Sequence, residues 1–297
     1  MKHKTRLIKY ILISLLFMFF ADVVTFSQEP DKSEPTPLKF YLGIAAGPSK
    51  NQIVNKGILS LSDLSSKNNY SFSGTFELGY FFSKSIGLST GLGYNSFSTE
   101  LSLNSYTNKF NSTDSENETY ERRVSGSDIK ELQKISFLNV PFCINFQMPK
   151  GSRYGSRYGL FLQAGVNLSI PMSDKYISSG TFTFTGYYPA YNVLLQNLPD
   201  YGFVNNSTVI SNGNLELKPI IIDGLARAGF QLFISEKIQI ALDITYFRSL
   251  SNISKYTSPD KFQLSSDINQ INSMMGGSSN AIAQSFGLSL SFRYYLK

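Results

Sequence analysis

The chain has 297 residues, of which 42% are hydrophobic and only 16% are charged. Ordinary soluble domains carry roughly 25% charged residues, so this composition points away from them. A single cysteine and a single histidine exclude an intrachain disulfide, a Cys-based zinc site and a His-rich metal site. We therefore expect neither a metal centre nor a bound cofactor.

The N-terminus has the pattern of a secretory signal peptide. Basic residues precede an apolar core at residues 10–20, which is too short to cross a bilayer as a helix. We predict a signal peptide at residues 1–27, with Ala21 as an alternative cleavage position. Residues 28–38 are rich in proline and charge, so we expect a flexible periplasmic lead-in there.

Removal of this segment changes both the charge and the chemistry of the chain. The formal net charge falls from +6 to +3, which is too diffuse to indicate nucleic-acid binding. His3 is removed with the signal, so the mature chain would contain no histidine. The usual general base of hydrolases is then missing, and we do not expect an enzyme; a histidine-independent enzyme is a distant alternative.

The remainder of the chain alternates apolar residues with small or polar ones at a period of two, which is typical of β-strands. At Ile86–Asn95, for example, large apolar residues alternate with glycine, serine and asparagine. Eight such segments are predicted, at residues 40–48, 72–80, 86–95, 138–146, 160–168, 226–234, 238–246 and 286–294. The even number suits a closed antiparallel membrane barrel.

Short and long connections between the predicted strands alternate along the chain. Short connections lie at residues 83–85, 149–157 and 235–237, and long ones at residues 49–70, 97–131, 172–221 and 250–283. Short periplasmic turns and long extracellular loops are typical of outer-membrane barrels. The predicted fold for residues 39–297 is thus an all-β, eight-stranded antiparallel up-and-down transmembrane β-barrel with four long extracellular loops.

Alternation alone does not distinguish a membrane barrel from a soluble, lipocalin-like barrel, because either could bury the apolar face. The polar face is mostly Gly, Ser, Thr, Asn and Gln, which suits a crowded interior, and the apolar face carries no charge at mid-strand. Charge placement therefore favours an apolar face that contacts lipid. We expect a monomer in the bacterial outer membrane, with outer-membrane lipid around it.

Several segments resemble the PorT-like outer-membrane β-barrel family. The resemblance rests on Ile135–Phe146 (ISFLNVPFCINF), Tyr158–Pro171 (YGLFLQAGVNLSIP), Asp223–Ser249 and Phe286–Lys297. It implies an eight-stranded barrel, which in some members is an accessory factor of a protein secretion system or a surface protein. The family has no catalytic motif to transfer to this chain.

Four charged residues fall on the polar, inward face of the predicted strands: Glu77, Arg227, Asp243 and Arg293. Two acids and two bases balance, and buried charges need partners because desolvation is costly. We interpret them as a structural charge network inside the barrel. A gated or proton-conducting path is the alternative.

The third long connection is unusually aromatic for an exposed segment, and exposed aromatic patches mark interaction sites. The candidate interaction surface comprises Phe182, Phe184, Tyr187, Tyr188, Tyr191, Leu194 and Leu195. The alternative is that the segment folds over the barrel mouth and buries these side chains. Four carboxylates in the second connection, Asp114, Glu116, Glu118 and Glu121, are expected in a solvated loop.

The sequence therefore predicts an outer-membrane protein of structural or interaction type. It would bind a partner through its extracellular loops or assist a secretion or envelope system. A small ligand-binding barrel or a narrow-conductance barrel is the second hypothesis, since an eight-stranded barrel is filled by its own side chains.

Overall fold

A computed structural model describes residues 39–56, 64–83, 85–147, 158–235, 237–255 and 262–296. The predicted signal peptide, the lead-in at 28–38 and the predicted connection at 149–157 lie outside the described residues. No helix in the described part of the chain is long and apolar enough to cross a membrane, a finding that concerns helices only.

The structure is almost entirely β. The described ranges contain the strands β1 Lys39–Lys56, β2 Leu64–Asn68, β3 Tyr70–Phe81, β4 Ile86–Thr113, β5 Thr119–Gln147, β6 Tyr158–Tyr188, β7 Val193–Leu195, β8 Ser207–Asn214, β9 Ile221–Phe233, β10 Ile238–Ser249 and β11 Asn280–Tyr295. Short 3-10 helices occur at Pro199–Tyr201 and Met274–Gly277.

Eight of these strands close into a ring. The order is β1, β3, β4, β5, β6, β9, β10 and β11, and β11 pairs again with β1. Every pairing in the ring is antiparallel. The eight predicted strands and their up-and-down order are therefore confirmed.

Within the ring, apolar side chains point outward and small or polar side chains point inward. On β4, Leu88 and Leu92 are 52% and 55% exposed, whereas Ser89 and Gly91 between them are buried. We call the outward apolar residues of the ring the belt. Its exposed members include Ile44, Phe76, Leu78, Leu88, Leu92, Phe142, Ile144, Leu162, Val166, Phe230, Leu242, Ile244, Leu288 and Leu290.

Three strands continue far beyond the ends that alternation predicted. β4, β5 and β6 contain 28, 29 and 31 residues. The predicted loops at 97–131 and 172–221 are therefore largely strand, which corrects the expected loop boundaries. β4 and β5 form one long hairpin that turns at Asp114–Glu118, where Asn117 adopts a φ of 64°. We call the distal parts of β4, β5 and β6, with β2, β7 and β8, the extension.

The two faces exchange character where the extension begins. On β4 the inward positions change from Gly91 and Gly93 to Leu101 and Leu103, both 1% exposed. The outward positions change at the same point from apolar residues to Ser96, Ser98, Glu100 and Ser102. The strand parity does not shift, so a single continuous strand has an apolar outer face in the ring and an apolar inner face in the extension.

The segment between β10 and β11 packs inside the extension. Leu264, Ile271, Met274 and Met275 are each 0% exposed. They pack against inward residues of β4, β5 and β6, among them Leu101, Ile129 and Phe182. We call residues 262–279 the inner loop. Because it fills the space that the long strands enclose, it closes the distal end of the interior.

Candidate functional site: a charged layer inside the ring and an aromatic tip

The four predicted inward charges lie together inside the ring and form what we call the charged layer. Glu77 projects from β3, Arg227 from β9, Asp243 from β10 and Arg293 from β11, with exposures of 3%, 7%, 1% and 1%. Asp243 is paired with Gly229, and Thr245 with Arg227, so Asp243 is diagonal to Arg227 on neighbouring strands. The strand alternation thus brings opposite charges within reach across one layer.

Arg227 links the two acids. Its Nε and Nη2 donate to the two carboxylate oxygens of Asp243 at 3.1 and 2.8 Å. Its Nη1 lies 3.6 Å from Glu77 Oε2, and Nη2 of Arg293 lies 3.5 Å from the same oxygen. The bidentate geometry is the strong form of an arginine–carboxylate pair, and the layer is electrically neutral.

Neutral polar groups complete the hydrogen bonding of the layer. Tyr41 Oη donates to Glu77 Oε1 at 2.8 Å, and Gln163 Nε2 donates to the same oxygen at 2.6 Å. Gln163 Oε1 accepts from Arg227 Nη1 at 2.9 Å, and Ser291 Oγ donates to Asp243 Oδ2 at 2.7 Å. Sequence reasoning missed these residues because it searched for charges. Their signal was a polar side chain at an inward position, with Gln163 directly paired with Arg227.

Arg293 is held mainly by aromatic rings. Its guanidinium carbon lies 5.0 Å from the ring centre of Tyr41 and 4.9 Å from that of Phe161, on opposite strands of the ring. Such cation–π contacts stabilise a desolvated guanidinium. Gly43 is paired with both Glu77 and Arg293, and a Cβ there would lie 3.3 Å from Arg293 Cγ. The absence of a side chain at this position lets the two charged side chains approach each other.

An apolar plug lies on the extension side of the charged layer. Phe97 and Phe137 meet edge to face with ring centres 5.5 Å apart, and Phe247 packs against Phe97 at 6.0 Å. Ile253 and Met275 complete the same buried cluster. Between the charged layer and this plug lies a cavity, lined in part by Ser73, Asn139, Asn167, Thr245 and Ser285. The described interior is therefore built as a series of layers.

Glu131 anchors the inner loop to the wall of the extension. Its carboxylate is fully buried and accepts hydrogen bonds from Gln133, Ser178, Ser273 and the backbone N–H of Met274, at 2.7 to 2.8 Å. Burial raises the pKa of Glu131 above its ordinary value, and the donated hydrogen bonds offset this effect only in part. The anchor thus joins the loop between β10 and β11 to β5 and β6.

The predicted interaction surface is divided by the structure. Phe182 and Phe184 are 0% exposed and Tyr188 is 8% exposed, because all three point into the apolar interior of the extension. The guanidinium of Arg122 covers the ring of Phe184 at 5.3 Å. These three residues are not available to a partner, which corrects the expected surface. Inward parity on β6 explains the difference, since 182, 184 and 188 share one face of the strand.

The remaining residues lie at the distal end, which we call the tip. Tyr191 is 60% exposed and Leu194 is 46% exposed, whereas Leu195 packs partly against the buried Tyr120. Tyr187 is half-buried, with the guanidinium of Arg123 over its ring at 4.4 Å. The structure adds three exposed apolar residues that sequence reasoning did not include: Val193, Leu198 and Tyr201.

The acidic hairpin turn borders this apolar surface. Tyr188 Oη donates to Asp114 Oδ2 at 2.9 Å, and Tyr191 Oη donates to Glu118 Oε1 at 2.5 Å. Hydrogen bonds, chiefly from the backbone N–H of Glu118, lower the pKa of Asp114. Burial and the adjacent Asp114 raise the pKa of Tyr188 to about 12. The tip therefore combines exposed aromatic rings with acidic side chains.

The described residues contain no group of three or more His, Cys, Asp or Glu side chains that could hold a metal ion. Cys143 is buried on the inward face of β5. The charged layer pairs its acids with arginines through ion pairs and hydrogen bonds. This arrangement is suited to holding the ring together.

No protein-family model matches the chain, and no curated protein matches it. Among solved structures, it is similar to Neisserial surface protein A, with 12% identity, a TM-score of 0.33, and coverage of 86% of this chain and 96% of that one. It is similar to the outer membrane protein OprG from Pseudomonas aeruginosa, with 13% identity, a TM-score of 0.34, and coverage of 87% and 95%.

A third similar structure is the outer membrane protease OmpT from Escherichia coli, with 8% identity, a TM-score of 0.32, and coverage of 90% of this chain and all (100%) of that one. These solved structures are outer-membrane proteins of more than one functional type. Similarity at this level assigns neither a family nor an activity to the chain.

Proposed function

We propose that the chain is a β-barrel of the bacterial outer membrane, exported with a cleaved signal peptide, whose extension presents the tip to a partner. The observation that carries the proposal is the exchange of faces within the continuous strand β4. A strand that is apolar outside and then polar outside, without a change in parity, has lipid around its first part and water around its second.

The charge distribution on the belt supports a lipid-facing ring. At the level of the belt, every charged side chain on the described ring strands points inward, as those of the charged layer do. A Lys or Arg on the lipid face at the bilayer midplane would cost about 2 to 4 kcal/mol. A soluble protein would gain nothing by exposing so large an apolar surface, because contiguous patches of this kind mark membrane or protein contacts.

The filled interior favours a structural or interaction role over transport. The charged layer, the apolar plug and the inner loop follow one another along the axis of the ring. An eight-stranded ring is just wide enough for such a filling. We propose that the charged layer is structural and that the protein is not an enzyme, since the mature chain would lack histidine and the acids of the charged layer are engaged by arginines.

The tip is the surface that we assign to a partner. Tyr191, Leu194 and Tyr201 offer exposed apolar area, and the neighbouring Asp114 and Glu118 add negative charge. Aromatic side chains with large contact areas commonly dominate binding energy at interfaces. The matching partner is a protein surface with apolar and basic side chains. The PorT-like resemblance makes a component of a secretion or envelope system the first partner to test.

A small ligand-binding or narrow-conductance barrel is a second candidate, favoured by the polar cavity between the charged layer and the plug. Planar-bilayer recording of the purified protein separates the two functions. The structural and interaction role predicts no steady conductance. A steady conductance that disappears in an Arg227→Ala variant with unchanged heat stability would favour the second candidate.

Two measurements test the main proposal. The protein should fractionate with outer membranes and migrate differently on SDS gels when unheated; recovery as a soluble periplasmic protein would contradict the barrel. The triple variant Tyr191→Ser, Leu194→Ser and Tyr201→Ser should lose proteins that co-purify with the wild type. Ile210→Ser, which alters another exposed apolar residue of the extension, is the control. An unchanged set of co-purifying proteins would contradict the partner role.

A further inference from the structure

Two lysines face each other on the outer surface where the belt ends. Lys134 on β5 and Lys175 on β6 are directly paired across the two antiparallel strands, and both are exposed. Side chains in such a pair have Cβ atoms about 4.5 to 5.5 Å apart. Two like charges so close together are destabilising unless an anion compensates them.

Within the described part of the chain, neither lysine forms an ion pair with a carboxylate. Acids close to the pair are Asp174, the chain neighbour of Lys175, which also lies near Glu216, and Glu100, which is paired with Leu132 and is therefore diagonal to Lys134. Lys175 Nζ instead donates to the neutral Asn214 Oδ1 at 2.5 Å. The row across β4, β5, β6 and β8 reads Ser98, Lys134, Lys175 and Asn214. It offers two positive charges and neutral hydrogen-bonding groups.

The position of the pair along the strands is as informative as its charge. On β6 the outward positions are apolar as far as Met172, which is 64% exposed, and Lys175 is the next charged outward residue. On β5 the unbroken run of apolar outward positions ends at Leu138, next to the bulge before Lys134, and the single outward pair Leu132 and Ile177 lies beyond the lysines. Arg248 on β10 likewise follows Tyr246, the last apolar outward position of that strand, and Lys50 on β1 follows the outward Pro48. Cations therefore border the belt on its extension side.

We propose that Lys134 and Lys175 bind the phosphate of a lipid headgroup in the outer leaflet. The inference rests on the proposed outer-membrane location. A lipid whose acyl chains lie against Ile170 and Met172 would bring its headgroup to the level of the two ammonium groups. Lysine binds phosphate well as a point charge, and basic residues at a membrane surface attract anionic headgroups. The neutral side chains Ser98 and Asn214 extend the row for further hydrogen bonds.

The test uses the purified full chain in detergent micelles with added bis-phosphorylated lipid A, and native mass spectrometry measures the bound fraction. Lys134→Ser with Lys175→Ser should weaken lipid A binding about tenfold or more. Lys134→Arg with Lys175→Arg should retain it. The control, Lys67→Ser with Lys109→Ser, makes the same change in net charge at exposed lysines elsewhere on the extension and should also retain binding.

Equal binding by the wild type and the Lys134→Ser, Lys175→Ser variant would overturn the proposal, and so would an equal loss in the control. Equal binding of dephosphorylated lipid A would show that phosphate is not recognised. Displacement of lipid A by an equal concentration of inorganic phosphate would show that the pair binds the free ion and not a headgroup. Fractionation separates this proposal from the earlier one. A wild type that is absent from outer membranes contradicts the location, whereas membrane localisation without lysine dependence contradicts the lysine pair alone.

Discussion

The ring and the extension share the strands β4, β5 and β6. The apolar side chains point outward in the ring and inward in the extension. In the ring, β4 exposes Leu88 and Leu92 and buries glycine, and the interior holds ion pairs. In the extension, β4 exposes serine and buries Leu101 and Leu103, and the interior holds an apolar core. Strand geometry is common to both regions. On the proposed membrane location, the difference follows from the surrounding medium, which is lipid around the ring and water around the extension.

The interior of the ring and the interior of the extension are filled by different kinds of side chain. The ring has charged groups that must be paired because they are cut off from water, and one arginine serves two acids. The extension uses the inner loop, whose methionines fill the gaps between phenylalanine and isoleucine side chains. Glu131 is the exception in the apolar interior. Its four hydrogen-bond donors offset part of the cost of burying its carboxylate without a cation.

The largest expected effect comes from breaking the charged layer. Arg227→Ala leaves Asp243 buried without a cation and should lower the free energy of unfolding by about 3 to 5 kcal/mol. Urea titration of the protein folded into lipid vesicles measures this. The double variant Arg227→Leu with Asp243→Leu removes both charges and should recover most of the loss. No recovery would show that the layer contributes more than charge compensation.

A charge on the outer surface should distinguish the two regions directly. Leu290→Arg places a cation on the belt and should cost about 2 to 4 kcal/mol if the position lies near the bilayer midplane. Ser102→Arg introduces an arginine at an outward position of the extension. It should change the free energy of unfolding by about 0.5 kcal/mol or less. The same titration compares both variants. Equal costs would contradict a lipid-facing belt that ends within the strands.

A smaller effect should follow pH at the anchor of the inner loop. The pKa of Glu131 is raised in the folded state, so its stabilising contribution is complete below the unfolded pKa of about 4.3 and is lost as pH rises through the folded pKa. Glu131→Gln should therefore become more stable relative to the wild type as pH rises, by on the order of 1 kcal/mol. Unfolding temperatures across pH 4 to 8 measure the difference.

The matched control for that comparison is Glu121→Gln. Hydrogen bonding from Arg123 lowers the pKa of Glu121, so its contribution has the opposite pH dependence and is lost as pH falls through the folded pKa. Parallel pH profiles for the two variants would contradict the buried anchor.

The ring was predictable from sequence because its signal is simple: large apolar residues on one parity and small ones on the other. The same rule hid the extension, where the apolar parity is the opposite one and the outward residues are Ser, Thr and Asn. Phe182 and Phe184 alternate with threonines in the sequence, but their inward direction depends on the register of β6 against β5 and β8. The inner loop could not be predicted, since Met274 and Met275 lie in a Gly- and Ser-rich segment and are buried only by distant strands.

The most direct test of the central claim is the accessibility of outward positions along β4 in lipid vesicles. In a Cys143→Ser background, single cysteines would replace Leu88, Leu92, Ser98 and Ser102 in turn and react with a membrane-impermeant maleimide. The account predicts protection at Leu88 and Leu92 and rapid labelling at Ser98 and Ser102. Uniform labelling at all four positions would contradict the claim that one strand passes from lipid into water where its faces exchange.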